Sequence, residues 1–328
     1  QWLRLLSEKK ISPSEKIVQA CEKLLANQKE PASIRLRALW ALQAMSLAKP
    51  ESLLDDPDEH VRTWAVRLLT DEWPIDTLFG PRKNLLPKGD PNLEKKFVQL
   101  AKSDPSGVVR LVLASTLQRL PVSSRGKLAQ ALAGRVEDGE DHNLPMMVWY
   151  GIAPMSDEDP EGLLEVARAT EWRDLRTWIA RAITEFSSER PAGLDSLLDL
   201  AGEKPERADS LLFGIERAVR GMKKVKKPEG WNLVMKKLGF NPLALKLSVL
   251  FGDEDAGGRM ESLVVDGKVK PEIRRQALSM LIESDSPNLR KLCEGLIDDR
   301  EMNLLAARGL SKFEDSEVGK MLTARLLA

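Results

Sequence analysis

One stretch decides the fold of this chain: Asp56-Pro57-Asp58-Glu59-His60-Val61-Arg62-Thr63-Trp64-Ala65-Val66-Arg67-Leu68-Leu69. It predicts a turn followed by a helix. We expect Asp56 to accept hydrogen bonds from the free N–H groups of the first helical turn. Pro57 suits the first helical position, where no N–H is needed. Apolar residues then recur at helical spacing and predict one buried helix face: Val61, Ala65, Leu68 and Leu69.

The same pattern recurs along the chain. Asp104 to Arg110 repeats the spacing of Asp56 to Arg62, and Ile34-Arg35 and Ile273-Arg274 open the same helical frame. The whole chain reads as about nine helix pairs with a period of roughly thirty residues, which is typical of an α-solenoid. Since no run alternates with a period of two over strand length, we expect no sheet.

The predicted fold class is therefore all-α: a right-handed α-α superhelix that forms one repeat domain over residues 1–328. Prolines and glycines predict an insertion loop at about 72–92, which would either contact a partner or pack on a neighbouring repeat. Ser316 to Leu327 predicts a C-terminal capping helix. Gly257-Gly258, after an acidic turn, predicts a loop.

Composition narrows the function classes. The chain has 50 basic and 50 acidic residues and no net charge, which argues against a dedicated nucleic-acid binder but allows a local basic patch. Cys21 and Cys293 are expected to be reduced core residues, because an elongated array would hold them beyond disulfide reach. No apolar run approaches the roughly 20 residues that span a bilayer, so we expect no membrane insertion. Because the chain opens at Gln1 in a helical pattern, we expect a piece of a longer protein.

The repeated unit resembles HEAT repeats of the armadillo-like class. It has Asp-Pro before its second helix and Val-Arg-x-x-Ala-x-x-x-Leu within that helix. In that family, the Asp before the turn and the Arg of the second helix pair along the stack. The resemblance thus implies a polar ladder between neighbouring repeats, formed by Asp56, Arg62, Asp104 and Arg110.

Three segments carry a closer resemblance: Asp56 to Asp71, Asp104 to Pro121 and Asp141 to Pro154. They resemble the helical-repeat region of large exported bacterial proteins classed as membrane-bound dehydrogenases. Those proteins place a β-propeller before this region and a c-type haem domain after it, and their Asp-His-Asn-Leu-Pro-x-Met-x-Trp-Tyr run is matched by residues 141–150.

The chain departs from that family in three respects. Ala153 stands where the family often has an acidic residue. The chain also contains no C-x-x-C-H motif for covalent haem and no β-propeller pattern. The resemblance therefore implies a middle module without dehydrogenase activity of its own, in a periplasmic or otherwise extracytoplasmic protein. Its partners would be the sister domains of the parent chain.

The first candidate binding site combines an acid, an imidazole, an amide and two aromatic rings: Asp141, His142, Asn143, Trp149 and Tyr150. They could form a polar site in which Asp138 or Asp141 orients His142. The alternative is a helix start, in which Asn143 or Asp141 is the cap and Trp149 and Tyr150 pack on the next repeat.

The second candidate is a phosphate-binding patch with one stacking aromatic: Arg217, Arg220, Lys223, Lys224, Lys226, Lys227 and Trp231. The alternative is a helix C-terminus, where positive charge is favourable, followed by a solvated loop. A DNA-glycosylase-like protein would also need aromatic rings around an acid, for which Trp172 and Trp178 near Asp174 are the candidates.

No catalytic motif is present: hydrolase elbows, P-loops and dinucleotide fingerprints are absent. His60 and His142 lie in distant repeats, and His60 is expected to face solvent. We therefore expect no enzymatic activity, no cofactor and no metal, and a scaffold that binds a protein partner or sister domain. The alternative is nucleic-acid binding through residues 217–237. A basic stripe across several second helices would favour nucleic acid, whereas a mixed or apolar face would favour protein.

Overall fold

The computed structural model describes residues 13–76, 90–220, 225–238 and 241–326. Within these ranges the chain forms α-helices and short 3-10 helices, and no strand. The predicted all-α class is confirmed. The chain divides into two compact units, residues 1–182 (unit 1) and 183–328 (unit 2). The single repeat domain over 1–328 stays a prediction.

Unit 1 contains nine α-helices in its described residues and the start of a tenth. They are α1 (Glu15–Ala26), α2 (Ala32–Ala44), α3 (Glu59–Thr70), α4 (Pro91–Ser103), α5 (Gly107–Thr116), α6 (Val122–Ala133), α7 (Leu144–Ile152), α8 (Met155–Glu158), α9 (Pro160–Ala169) and α10 (Arg173–Glu185). Short 3-10 helices lie at Pro50–Leu53, Leu117–Arg119 and Val136–Asp138.

The helices after α10 belong to unit 2. They are α11 (Pro191–Glu203), α12 (Pro205–Val219), α13 (Trp231–Leu238), α14 (Pro242–Leu250), α15 (Glu254–Val265), α16 (Pro271–Glu283), α17 (Leu289–Leu296), α18 (Asn303–Leu310) and α19 (Ser316–Leu326). The last of these, α19, lies in the segment predicted to form a capping helix.

The helices of unit 1 pack as two rows, and unit 2 contains one comparable succession. In unit 1, α2, α3, α5 and α7 pack on one another in succession, and α4, α6 and α9 form the other row. In unit 2, α12, α14, α16 and α18 form the corresponding succession. We call α2, α3, α5 and α7, and α12, α14, α16 and α18, the second-row helices.

The core is mostly aliphatic. Val61, Leu113 and Val148 of successive second-row helices are fully buried. The helices approach one another closely, since a Cβ built on Gly151 would lie 2.4 Å from the Leu117 Cβ. In unit 2, a Cβ on Gly309 would lie 2.5 Å from the Cys293 Sγ. Glycine is therefore needed at both contacts.

The stretch that decides the fold begins its helix later than predicted. Asp58 is the N-cap of α3, and its carboxylate accepts from the N–H groups of His60 and Val61 at 2.9 and 3.2 Å. Pro57 precedes the cap. Asp56 instead accepts from the Asp58 N–H and binds the buried guanidinium of Arg35. Asp56 is not the cap, because its carboxylate is the counterion that the buried Arg35 requires. Asp58, the second aspartate of the turn, caps the helix instead.

Two loop predictions have different outcomes. Residues 77–89 of the predicted insertion lie outside the described residues, whereas 72–76 are non-helical and α4 already begins at Pro91. The loop predicted at Gly257-Gly258 is wrong, because both glycines lie within α15. Ala256, Met260 and Val264 are buried at helical spacing, and this packing outweighs the cost of about 1 kcal/mol for each helical glycine.

The two cysteines differ in their surroundings. Cys293 is buried and Cys21 is partly exposed, and both are free thiols. Burial raises the pKa of the Cys293 thiol to about 11 and also raises that of Cys21. The core position predicted from sequence therefore describes Cys293 but not Cys21.

Candidate interaction surface

Buried arginine–aspartate pairs connect successive second-row helices to the turns that follow them. The Arg62 Nε and Nη2 donate to the two carboxylate oxygens of Asp104 at 2.7 and 2.8 Å. The Arg62 Nη1 donates to the carbonyl oxygens of Asp56 and Pro57. The hydrogen bonds to Asp104 raise the pKa of Arg62 above its ordinary range. The geometry is bidentate and side-on, which is the strong form of this pair.

Each of the four predicted ladder residues is in such a pair, but two partners were missed. Asp56 binds Arg35, and Arg110 binds Asp138. In unit 2, Arg274 binds Asp299 at 2.7 Å. The signal for Arg35 and Arg274 was their place in the repeated frame. Asp138 carried no such signal, because no proline follows it and it closes a 3-10 helix.

The ladder carboxylates have a structural task. Asp104 binds Arg62 through both oxygens and also accepts from the Ser106 N–H at 2.9 Å. Its side chain is only 2% exposed. Because both of its oxygens are bound within the protein and shielded from solvent, this carboxylate is poorly placed to contact a ligand.

The first candidate site has the geometry of a helix start. Asp141 accepts from the N–H groups of Leu144 and Asn143 at 2.8 and 2.9 Å. These hydrogen bonds hold the pKa of Asp141 below its ordinary range. His142 and Asn143 are exposed, and the Asn143 side chain makes no capping hydrogen bond.

The acids expected to orient His142 are therefore engaged elsewhere. Asp138 is buried against Arg110, and Asp141 is bonded to the backbone of the helix it starts. The two aromatic residues have different surroundings. Trp149 is half-buried, and its ring centroid lies 6.2 Å from that of Trp178. Tyr150 is 38% exposed.

The basic segment is partly neutralised by acids. Lys223 and Lys224 lie outside the described residues. Arg220 binds Glu216 at 3.1 Å, and Lys227 binds Asp253 at 3.0 Å. Burial alone would raise the pKa of both carboxyl groups, but hydrogen bonds and charges from their cations lower both.

The other cations of the segment are exposed. The Arg217 guanidinium lies 5.3 Å from the Phe213 ring, and Lys226 is exposed. Of the described cations of this segment, Arg217 and Lys226 are thus exposed, whereas Arg220 and Lys227 bind acids.

Trp231, the aromatic residue of the phosphate-binding hypothesis, is not accessible to a ligand. Trp231 is fully buried, with its indole N–H donating to the Ser248 Oγ at 2.8 Å and its ring edge-on to Phe251. It cannot stack on a base, because it fills the core of unit 2. Trp172 is likewise buried, with its indole N–H donating to the Arg135 carbonyl oxygen. This ring is therefore unavailable for an aromatic pocket around Asp174.

A surface that sequence reasoning missed lies on the second-row helices of unit 1. Trp40 of α2 and Trp64 of α3 meet edge-to-face with ring centroids 4.8 Å apart. The Arg67 guanidinium covers the Trp64 ring at 4.6 Å. Trp40 is 38% exposed. The clue to this surface is that Trp40, although apolar, is not among the buried residues of its helix.

The same surface continues as a groove of about 350 Å³ between α3, α5 and α7. Arg67, Val108, Leu111 and Met147 line this groove, and Val108 is 43% exposed. Tyr150 lies one helical turn beyond Met147. We call this surface the tryptophan face, defined by Trp40, Trp64, Arg67, Val108, Leu111, Met147 and Tyr150.

The described residues contain no cluster of three or more His, Cys, Asp or Glu side chains that could hold a metal ion. Among the described helices, none is long and apolar enough to cross a membrane. Comparison of the chain with family models, curated proteins and solved structures gives no match.

Proposed function

We propose that this chain is a non-catalytic scaffold that binds a protein partner, or a sister domain of a larger parent protein, through the tryptophan face. One observation carries the proposal: exposed and half-buried aromatic and aliphatic side chains run across successive second-row helices. Solvent-exposed tryptophan, tyrosine and arginine side chains in one patch are typical of the residues that dominate protein interfaces.

The charge on this face also supports a protein partner. Its groove contains Arg67, Arg119 and Asp71. Arg119 donates to the carbonyl oxygens of Thr70, Asp71 and Trp73, so its guanidinium is occupied by the end of α3. The face is therefore mixed and largely apolar, whereas a nucleic-acid footprint is a basic stripe over several helices.

We also propose that each unit is a stack of HEAT-like helix pairs. The ladder pairs support this, because Arg35, Arg62 and Arg110 each join a second-row helix to an aspartate of the following turn. Under the resemblance to the repeat region of exported dehydrogenases, the chain is a middle module and its partner is a sister domain. Electron-transfer chemistry would then belong to other parts of the parent.

The nucleic-acid alternative has less support. It depended on a patch of phosphate-binding cations with one stacking aromatic ring. Trp231 is buried, and Arg220 and Lys227 are bound to carboxylates. No second observation on the described residues favours it.

A peptide-display selection tests the proposal. A library of random peptides is selected against the purified chain, and enriched peptides are then titrated against variants. We expect Trp40→Ser and Tyr150→Ser each to weaken binding at least about tenfold, as for interface residues whose loss costs more than about 1 kcal/mol. Ile17→Ser is the matched control, because Ile17 is a similarly exposed apolar residue (39%) on α1, outside the face.

The selection can also refute the proposal. Enriched peptides that bind Trp40→Ser and Tyr150→Ser as tightly as the unchanged chain would exclude the tryptophan face. A selection that enriches no binder would contradict the function as a whole.

A further inference from the structure

A second groove lies in unit 2, on the row that corresponds to the tryptophan face of unit 1. It has a volume of about 820 Å³ and lies between α14, α16 and α18. Its walls include Lys246 of α14, Met280 of α16 and Leu305 of α18. Met280 and Leu305 are partly buried, so they give the groove an apolar floor.

The charge of this groove is positive. Its lining contains the cations Lys246, Arg275, Arg300 and Arg308 against the acids Glu283 and Glu301, an excess of two positive charges. Lys246 binds Glu216 at 2.9 Å, and Arg275 binds Glu301 at 2.9 Å.

The remaining two cations have no ion-pair partner among the described residues. Arg300 and Arg308 are exposed, and none of the ion pairs among the described residues involves either of them. Two unneutralised guanidinium groups in one groove attract carboxylates, which arginine can bind through two parallel hydrogen bonds.

Leu304 adds an exposed apolar side chain between these arginines. It is 87% exposed, the highest value among the exposed large apolar side chains of the described residues. It lines the same groove as Arg300 and Arg308. A leucine that a folded helix presents to water is removed from water when an apolar side chain of a partner covers it, and such burial favours binding.

We propose that this groove, the arginine groove, binds an acidic protein segment that carries one large apolar side chain. The apolar side chain lies on Leu304 and Met280, and flanking carboxylates bind Arg300 and Arg308. This inference rests on the proposed protein-binding function and names the partner chemistry for a second surface. Nucleic acid, the other polyanion that could seek these arginines, lacks the apolar side chain that Leu304 would receive.

The test uses synthetic fluorescein-labelled peptides with one leucine flanked on each side by glutamates, titrated against the full chain by fluorescence anisotropy. We expect binding at low salt that weakens as salt is added, because exposed charge pairs are screened. Replacing the leucine by serine, or the glutamates by glutamines, should weaken binding at least about tenfold.

Variants of the chain locate the site. Arg300→Glu/Arg308→Glu should abolish binding, and Leu304→Ser should weaken it about tenfold. Lys268→Glu/Lys270→Glu is the matched control, because it makes the same charge change at exposed residues of unit 2 before α16. It should leave most of the affinity unchanged.

Three results would overturn the inference: no binding of the acidic leucine peptides at low salt, equal binding to the arginine-groove variant, or binding of labelled DNA that the same arginine variant abolishes. These results are separable from those on the tryptophan face. Peptides selected on that face should bind Arg300→Glu/Arg308→Glu normally, so failure of one surface does not imply failure of the other.

Discussion

Replacing Asp104 by alanine should destabilise unit 1 strongly, because it leaves the buried Arg62 guanidinium without its counterion. The pair is made by hydrogen bonds of 2.7 and 2.8 Å, with side chains only 10% and 2% exposed. Removing one member of a buried ion pair costs about 3–5 kcal/mol. The Ser106 N–H also loses its acceptor. We therefore expect Asp104→Ala to lower the free energy of unfolding by about 3–5 kcal/mol.

An exposed pair in the same unit is the matched control. The Lys96 Nζ lies 2.6 Å from Asp55, which is as close as the buried pair, but the Asp55 side chain is 74% exposed. Exposed pairs of this kind contribute less than about 1 kcal/mol. We expect Asp55→Ala to change the free energy of unfolding by no more than that.

The assay is urea unfolding of the full chain followed by far-UV circular dichroism, with Arg62→Met and the double variant Arg62→Met/Asp104→Ala included. The double variant should lose less stability than the two single losses added together, because no unpaired buried charge remains. If Asp104→Ala and Asp55→Ala cost the same, or if the single losses add, the burial argument is wrong.

Packing, capping and burial give three further predictions. Gly309→Ala should destabilise the chain by about 1–3 kcal/mol through overpacking, whereas Gly258→Ala, with nothing near its Cβ, should stabilise it by up to about 1 kcal/mol; urea unfolding measures both. Asp141→Ala should cost about 0.5–2 kcal/mol at neutral pH and less below pH 4, because the pKa of Asp141 is lowered in the folded chain, so its contribution is lost as the pH falls through that lowered value. In native alkylation with iodoacetamide at pH 8, Cys21 should react well before Cys293, whose thiol is buried and has a pKa of about 11.

Each of these has a contradicting result. Equal effects of the two glycine substitutions would show that the close contact at Gly309 is relieved at no cost. A loss for Asp141→Ala that stays constant from neutral to acidic pH would exclude charge as the source of the cap. Modification of Cys293 as fast as Cys21 would show that the core around α17 and α18 opens readily.

Periodicity made the helices predictable, but side-chain choices within turns were not. The frame Val61-Arg62 predicted the second helix, and the resemblance to HEAT repeats implied that Arg62 and Asp104 belong to a ladder, where they form a pair. Yet Asp56 and Asp58 are equally suited to capping by residue type, and only the position of the buried Arg35 decides between them. Similarly, two glycines resemble a loop in sequence, and the buried positions of α15 override that local preference.

The candidate sites were harder to predict because exposure is a tertiary property. Trp231 sits among lysines in sequence, yet its indole ring points into the core and donates to Ser248. Trp40 and Trp64 are distant in sequence, and the packing of α2 on α3 brings their rings together at the surface. Charge clusters in sequence also hid their partners, since Asp253 binds Lys227 from 26 residues away and Glu216 binds Arg220 of the cluster.

The measurement that tests the central claim most directly is a single anisotropy series on the full chain. It compares labelled duplex DNA, labelled single-stranded DNA and a display-selected peptide across increasing salt. We predict that the peptide binds at physiological salt, that Trp40→Ser weakens it, and that neither DNA binds. Micromolar DNA binding that falls steeply with salt and is abolished by Lys226→Glu/Lys227→Glu would contradict the account.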